Sequence, residues 1–320
     1  MTSPMSTDPV KLATFAMACR FELVLEEGDP VRLRAAGEEA IAEIELLDRQ
    51  LSRFLPESDV SWINAHAAHE PVKVEPRLFQ LLQRAKEISE ASGGAFDITV
   101  APLMRAWGLT NGDGHIPDRD ELERARAVVG MKHLALDQSS FTVRFDIPGV
   151  EIDLGAIGKG YAIERAVDCL REAGVTRALI HGGTSTAFGI GKWEFGIGNL
   201  EFGNGNLELG NGEPAPPRRR AISKFQIPNS KWRVSLLDSA LSVSAIHGRS
   251  FTRDGREYGH VIDPRTGEPV SHTRLAAVWG PSPTDCDALS TALLVLGEAW
   301  LPEMTAKFPG YEGRVVRGGH

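Results

Sequence analysis

Hydrophobic residues along the chain follow two periods, one typical of strands and one typical of helices. The run "CRFELVLEE", which begins at Cys19, alternates apolar and polar residues as a strand with one buried face does. In residues 31–54 the apolar positions recur every three or four residues, which predicts an amphipathic helix. The same spacing predicts helices over residues 76–92, 118–129, 161–173 and 284–296.

Shorter alternating runs predict further strands. They are "RALIHGG", "WRVSLLDSALSVSA", "REYGHVIDP", "RLAAVWG" and two candidates within "SSFTVRFDIPGVEIDLG". Strands and helices do not alternate regularly enough for a doubly wound parallel sheet, so we predict an α+β fold with mixed, largely antiparallel sheets and packed helices. The repetitive stretch "GNLEFGNGNLELGNGE" marks a low-complexity insert at about residues 198–222, either a hairpin extension or a loop.

The composition is that of an ordinary globular protein. The chain has 320 residues, with 35 basic against 43 acidic side chains and a net charge of −8, which argues against nucleic acid as a partner. No apolar run approaches the roughly 18 residues of a membrane span, so we predict no membrane insertion. The cysteines Cys19, Cys169 and Cys286 form no CxxC pair, which predicts reduced thiols and a cytoplasmic location.

The stretch "DLGAIGKGYAIERA" joins a strand-like run to a glycine-rich turn and an amphipathic helix. It is not a Walker A phosphate loop, because Gly155 lies only three positions before Gly158, and Gly160 stands where the Ser or Thr ligand of Mg²⁺ belongs. Small residues before a helix N-terminus still favour an anion, and Lys159 adds a positive charge. Asp153 is unexpected beside a phosphate. It either bonds a ribose hydroxyl or a ring N–H, or it caps the turn.

A second candidate site lies in "TDCDALSTALLVLG". Asp287 and Thr291 are four positions apart, on one face of the predicted helix. A carboxylate and a hydroxyl so placed form half of a hard-oxygen site for Mg²⁺, to be completed by carbonyls, water and ligand phosphates. The alternative is structural: Asp287 compensates the helix dipole and Thr291 bonds back to the main chain.

Two further segments carry single candidate residues. His260 ends a predicted strand just before the tight turn predicted by "DPRTG", and a lone histidine there is more often structural. Asp97, in "GGAFDITVAPLMRAWG", lies in a bend between a helix end and an apolar run. Pro102 and Trp107 of the same segment form either a pocket wall or plain core.

In this order the motifs resemble the ApbE family of FAD:protein FMN transferases. The resemblance rests on "LSRFLPESDVSWIN", "GGAFDITVAPLMRAWG", "DLGAIGKGYAIERA", "HGGTSTAFG", "YGHVIDPRTGEPV" and "CDALSTALLVLG". It covers nearly the whole chain outside the insert. It implies a T-fold-like architecture and an enzyme that moves FMN from FAD onto a Thr or Ser of an acceptor flavoprotein, with Mg²⁺ required and AMP released.

The resemblance also implies the roles of individual residues. A divalent-metal site is implied at Asp287, Thr291 and the main-chain carbonyl of Ala156, and catalytic roles at Lys159 and His260. The implied flavin contacts are Met17, Phe54, Ala95, Phe96, Asp97, Asp153, Lys159 and Ile262.

Ala18, Cys19 and Phe54 depart from the family pattern. Met17-Ala18-Cys19 stands where M-G-T is common. Phe54 stands where a Tyr is common, so stacking is kept while a hydroxyl contact is lost.

The resemblance implies a single domain over residues 17–310, with tails at residues 1–16 and 311–320. In the mechanism we expect, Mg²⁺ and Lys159 neutralise the diphosphate while the acceptor hydroxyl attacks the FMN-side phosphorus. His260 or a carboxylate takes the proton. The alternatives are an FAD-binding carrier or sensor without transferase activity, and a Mg²⁺-dependent FAD pyrophosphatase. The presence of Asp287, Thr291 and Lys159 favours catalysis over binding alone.

Overall fold

The computed structural model describes residues 8–110, 114–197, 232–246, 250–253 and 255–317, and the predicted insert lies outside them. The strands are β1 (Val10–Ala16), β2 (Cys19–Glu26), β3 (Val72–Lys73), β4 (Leu134–Asp137), β5 (Thr142–Phe145), β6 (Arg177–Gly182), β7 (Thr186–Ile197), β8 (Trp232–Ala245), β9 (Ser250–Arg253), β10 (Arg256–Gly259), β11 (Thr273–Gly280) and β12 (Glu312–Arg317). The helices are α1 (Pro30–Leu51), α2 (Asp59–His66), α3 (Pro76–Ala91), α4 (Ala101–Ala106), α5 (Arg119–Ala127), α6 (Gly158–Glu172), α7 (Pro283–Leu296) and α8 (Leu301–Lys307).

One large sheet organises the molecule. Its strands lie in the order β1-β2-β6-β7-β8-β11-β12, and every neighbouring pair is antiparallel. A three-stranded sheet, β3-β5-β4, and the hairpin of β9 and β10 lie outside it, and their pairs are antiparallel too. The α+β prediction is confirmed. The sheets are more uniform than the predicted mixture, because no parallel pair occurs in the part of the chain that the structure describes.

The core forms where α1, α6 and α7 pack on one face of this sheet. Strand residues alternate between its two faces, so on β6 Ala178 and Ile180 join the helices while Leu179 packs on the opposite side. Ile44 of α1 and Leu170 of α6 are fully buried in the same core. Each such side chain contributes about 2 kcal/mol by leaving water, so this face holds α6 and α7 side by side.

Each of the two predicted tails contains a strand of the large sheet. Strand β1 pairs with β2 along its whole length and buries Val10 and Ala16. At the other end of the chain, β12 pairs with β11 and forms the opposite edge of the sheet. The sequence did not indicate these strands because few of their residues are buried: only the two end residues of β1 are, and none of β12.

The segment before the glycine-rich turn is not the strand that its apolar residues predict. The Asn64 side chain of α2 replaces a partner strand: its Nδ2 donates to the Ile152 carbonyl at 3.0 Å, and its Oδ1 accepts from the Ile152 N–H at 2.8 Å. The N–H of Asp153 donates to the Ile98 carbonyl at 2.7 Å. One side chain and one carbonyl thus satisfy backbone groups that a strand ladder would otherwise pair.

The hairpin that joins β1 to β2 is strained at its turn. Ala16 pairs with Cys19, so Met17 and Ala18 form a two-residue turn, with φ of 50° and 56°. Such turns need positive φ at both central positions, where glycine, asparagine or aspartate is usual. The Met17 N–H donates to the Asp48 carboxylate at 2.7 Å, which ties the turn to α1.

We expect Ala18→Gly to raise the free energy of unfolding by about 1 kcal/mol, because glycine removes the Cβ cost of the left-handed conformation. The matched control is Ala13→Gly, in the middle of β1 and exposed, which we expect to lower the same quantity by about 0.5–1 kcal/mol. Urea unfolding measures both. Equal destabilisation by the two changes would refute the strain.

No helix in the described residues is long and apolar enough to cross a membrane. The cytoplasmic location stays a prediction of the sequence.

Candidate active site

The centre of the site is the carboxylate of Asp287, on the second turn of α7. Its side chain is only 3% exposed. Oδ2 accepts the Gly160 N–H from the first turn of α6 at 3.0 Å, and Oδ1 accepts the Thr186 and Ser242 hydroxyls at 3.3 Å each. Because a helix N-terminus carries a partial positive charge, the start of α6 attracts this carboxylate oxygen.

The Gly160 amide is one of the N–H groups in the first turn of α6 that have no acceptor inside the helix. The Asp287 carboxylate satisfies it from α7 at 3.0 Å. The next N–H, that of Tyr161, makes the first regular helical bond, to the Ile157 carbonyl at 3.0 Å. Ala156 lies just before this helix, so the contact joins the glycine-rich turn to α7 and orients the carboxylate.

Close packing of α6 on α7 makes this geometry possible. A Cβ on Gly160 would lie 2.1 Å from the Pro283 carbonyl oxygen and 2.8 Å from the Asp287 Cβ. In a Walker A loop the position of Gly160 carries a Ser or Thr. The glycine found here rules out that motif, and its missing side chain lets α7 pack closely against α6. The predicted helix 161–173 begins earlier, at Gly158, which places Lys159 and Gly160 in its first turn.

Thr291 lies one helical turn beyond Asp287. Its Oγ1 is 3.3 Å from the Asp287 carbonyl oxygen and 3.2 Å from the Ser244 hydroxyl. Ser244 lies 2.8 Å from Ser290, whose hydroxyl donates to the Asp287 carbonyl at 3.0 Å. Thr291 therefore bonds back to the main chain, as the structural alternative predicts. Its hydroxyl is half-buried, and its oxygen can still accept a bond from, or coordinate, another partner.

Four hydroxyl residues of this cluster were not predicted. Their signal was weak: the alternation in "LSVSA" puts two serines on one face of β8, but nothing in the sequence ties them to α7. They are Thr186, Ser242, Ser244 and Ser290.

The donor set fits a hard divalent cation. Asp287, Thr291 and the Ala156 carbonyl supply oxygen atoms, which Mg²⁺ prefers. No cluster of three or more His, Cys, Asp or Glu side chains occurs in the described residues. One carboxylate leaves a divalent ion with net positive charge, as expected where ligand phosphates complete its shell.

Lys159 provides the second positive charge. Its Nζ lies 3.2 Å from the Gly155 carbonyl oxygen, so the side chain folds back over the glycine-rich turn. An ammonium group held this way has two further N–H donors for an anion.

Asp153 begins the same turn and is already bonded. Its Oδ1 accepts the Gly155 N–H at 2.8 Å, and its Oδ2 lies 2.7 Å from the Arg53 Nε. Asp153 therefore caps the turn, which is one of the roles predicted for it from the sequence. Phe54, next to Arg53, keeps its ring 63% exposed, which suits a stacking platform.

The predicted flavin contacts Ala95, Phe96 and Asp97 lie in the interior. Ala95 and Phe96 are each only 1% exposed, main chain included. Asp97 accepts bonds from the Thr99 N–H and hydroxyl at 2.7 and 2.6 Å and from the Met131 N–H at 3.0 Å. Burial raises the pKa of its carboxyl and these hydrogen bonds oppose the shift. Asp97 also lines a cavity of about 630 Å³.

His260 and Ile262 flank the second predicted motif. His260 is half-buried at the bend after β10, and Ile262 is buried, forming an isolated bridge with Pro269. The predicted tight turn is present, since the Gly267 N–H donates to the Asp263 carbonyl at 2.8 Å. The Trp107 indole donates to the Gly267 carbonyl at 2.7 Å, which fastens the turn to α4. The role of His260 stays a prediction.

A partly buried ionic cluster fixes the start of α7. Arg84 of α3 holds both carboxylate oxygens of Asp285, at 2.8 and 2.7 Å, and the Tyr311 hydroxyl donates to the same carboxylate at 2.6 Å. The hydrogen bonds to Asp285 raise the pKa of the Arg84 guanidinium. On the other side, Glu164 of α6 accepts the Ser282 hydroxyl at 2.7 Å. These bonds position α7, and therefore Asp287.

Cys19 lies near the charged groups of the site, and burial raises the pKa of its thiol from about 9 to about 11, with Lys159 opposing the shift and Asp287 adding to it. A raised pKa in the folded state stabilises the protein below the unfolded value and loses that contribution as pH rises toward 11. Between pH 8 and pH 10, we therefore expect the wild type to lose about 1 kcal/mol more stability than Cys19→Ser. Urea unfolding at the two pH values measures the difference, and equal losses would refute it.

The chain resembles known proteins over most of its length. The sequence matches the ApbE family model over residues 17–314. It is 30% identical over 306 residues to the FAD:protein FMN transferase of Treponema pallidum, covering 93% of this chain and 81% of the relative. The corresponding enzyme of Vibrio cholerae is 27% identical, with 80% and 71% covered.

Solved structures share the fold. The ApbE protein of Thermotoga maritima superposes with a TM-score of 0.78 at 26% identity, covering 97% of this chain and 94% of that one. The apo flavinyl transferase ApbE of Pseudomonas stutzeri gives a TM-score of 0.76 at 24% identity, with 98% and 96% covered. The chain belongs to the ApbE family.

Proposed function

We propose that the protein is an FAD:protein FMN transferase. It moves the FMN part of FAD onto a Thr or Ser hydroxyl of an acceptor flavoprotein and releases AMP, with Mg²⁺ bound. One observation carries the proposal: the Gly160 N–H, in the first turn of α6 beside Lys159, donates to the buried Asp287 carboxylate of α7 at 3.0 Å, so the glycine-rich turn and the α7 half-site meet. The names of the Treponema pallidum and Vibrio cholerae relatives support the same activity.

The metal would be held by Asp287, Thr291 and the Ala156 carbonyl. When bound there, Mg²⁺ withdraws charge from the diphosphate of FAD and supports the departure of AMP. The protein's own contribution is to hold the carboxylate oxygens in place: three donors, namely the Gly160 N–H and the Thr186 and Ser242 hydroxyls, restrict Asp287 before any ligand arrives.

Lys159 and the first turn of α6 would bind the diphosphate from the other side. The ammonium group is folded over the glycine-rich turn, and the helix N-terminus favours negative charge. Both interactions strengthen as negative charge moves onto the leaving phosphate, which is the kind of stabilisation that lowers a barrier.

The transfer itself breaks one bond and forms one. The acceptor oxygen bonds to the FMN-side phosphorus, the bridging P–O bond of FAD breaks, and its electron pair leaves with AMP. The proton of the acceptor hydroxyl goes to a base, for which we propose His260 at the bend after β10. We propose Met17, Phe54, Asp153, Ile262 and residues 95–97 as flavin contacts.

Incubation with FAD, Mg²⁺ and an acceptor flavoprotein domain tests the proposal. We expect flavin fluorescence on the acceptor band in a denaturing gel and AMP in equal amount, both lost with a chelator or when the acceptor Thr is replaced by Ala. Free FMN with AMP would indicate a pyrophosphatase instead, and tightly bound intact FAD would indicate a carrier or sensor. Either result overturns the transferase.

A further inference from the structure

An ion pair that no sequence motif indicated lies at the edge of the candidate site. Arg53, two residues after the end of α1, places its Nε 2.7 Å from Oδ2 of Asp153. The side chains are 10% and 24% exposed, so this pair is screened by water much less than a surface pair. The Nε–H does not point along the contact, and the attraction is therefore mainly Coulombic.

Asp153 needs such a partner. It begins the turn that leads to Lys159 and to the N-terminus of α6, where we propose that a diphosphate binds. An uncompensated carboxylate there would repel an anion and offset the charge of Lys159. The first oxygen of Asp153 is engaged by the Gly155 N–H at 2.8 Å, so the carboxylate also fixes the shape of the turn.

Arg53 is fixed by two further contacts. Its guanidinium donates to the Thr110 hydroxyl at 3.2 Å and lies 4.6 Å from the centre of the Phe54 ring. A side chain so enclosed is not free to swing out to a ligand. Its effect on ligand binding must pass through the groups that it touches.

We propose that Arg53 is a positioning residue that neutralises Asp153, so that the turn can keep this carboxylate as its cap and still accept an anionic diphosphate. The inference rests on the proposed function, because it concerns the same ligand. It predicts that the loss of ligand affinity caused by replacing Arg53 depends on the charge of Asp153.

A double-mutant cycle tests this dependence. The variants are Arg53→Met, which keeps most of the aliphatic volume, Asp153→Asn, and the two combined. The measurement is the Kd of ADP and of FAD by titration calorimetry with Mg²⁺ present. We expect Arg53→Met to weaken both ligands about tenfold or more when Asp153 is charged, and less than about threefold in the Asp153→Asn background.

Salt dependence gives a second readout that loss of structure would not produce. High salt screens repulsion, so we expect it to narrow the difference between Arg53→Met and the wild type. The matched control is Arg49→Met, four residues earlier on α1 and exposed, which removes the same charge from the chain and should leave both Kd values unchanged.

Three results separate the possibilities. Unchanged affinity in Arg53→Met, or equal losses in both backgrounds, overturns the inference. If Arg53→Met does not fold, the comparison of the double variant with Asp153→Asn decides: less than a threefold loss supports the inference and a tenfold loss overturns it. A wild type that binds neither FAD nor ADP refutes the proposed function itself.

Discussion

Replacing Asp287 with Asn is expected to lower kcat/KM for FMN transfer about a thousandfold or more, while the protein stays folded. Asparagine can still accept the Gly160 N–H and donate to the Thr186 and Ser242 hydroxyls, so the packing of α6 on α7 survives. The negative charge that would hold the proposed cation is lost. A loss of about 4 kcal/mol of stabilisation corresponds to that factor, and metal ions supply several kcal/mol in such reactions.

The measurement is the initial rate of flavin attachment over a range of Mg²⁺ concentrations, with thermal unfolding as the check on folding. Asp168→Asn is the matched control, since that carboxylate pairs with Arg165 on α6 and takes no part in the site. We expect it to keep its rate. Activity of Asp287→Asn within tenfold of the wild type would contradict the assigned metal site.

Among substitutions that add a single methyl group near the site, we expect Gly160→Ala to cause the largest loss of stability and activity. The new Cβ would lie 2.1 Å from the Pro283 carbonyl oxygen, which belongs to backbone and cannot rotate away. The helices must separate, so we expect a loss of about 3 kcal/mol of stability, at the upper end for an overpacked core, and no measurable transfer.

Gly158→Ala is the control for that change. It lies two residues earlier in the same first turn of α6, and its Cβ would meet only the side chains of Leu51 and Leu154, at ordinary distances of 3.8 and 4.0 Å. We expect its stability to stay within about 0.5 kcal/mol of the wild type. Urea unfolding compares the two variants, and similar stabilities would show that the close approach at Gly160 is not required.

The periodic parts of the chain could be predicted because their signal is local. The helices over residues 31–54, 76–92 and 284–296 agree with α1, α3 and α7 to within three residues at each end, since each has a continuous apolar face. Asp287 and Thr291 could be paired for the same reason, because residues four positions apart on a helix lie next to each other on one face.

The features that could not be predicted from the sequence depend on contacts between residues far apart in the chain. The capture of the Gly160 N–H by Asp287 joins residues 127 positions apart. The pairing of Arg53 with Asp153 and the replacement of a partner strand by Asn64 likewise join separate segments, and neither leaves a periodic trace. Asp153 could be named as a candidate from its place in the turn, but its partner could not.

Metal rescue at Thr291 tests the central claim, that the α7 half-site and the glycine-rich turn bind one catalytic cation together. Thr291→Cys puts a soft sulfur ligand where Mg²⁺ prefers oxygen, whereas Zn²⁺ accepts sulfur readily. With Mg²⁺, we expect the transfer rate of Thr291→Cys to be about a hundredfold below that of the wild type. Replacing Mg²⁺ by Zn²⁺ should then raise the rate of the variant at least about tenfold more than it raises the rate of the wild type. Thr305→Cys, exposed on α8, should show no such recovery. A folded Thr291→Cys variant that is fully active with Mg²⁺, or that is inactive with both ions, would contradict the account.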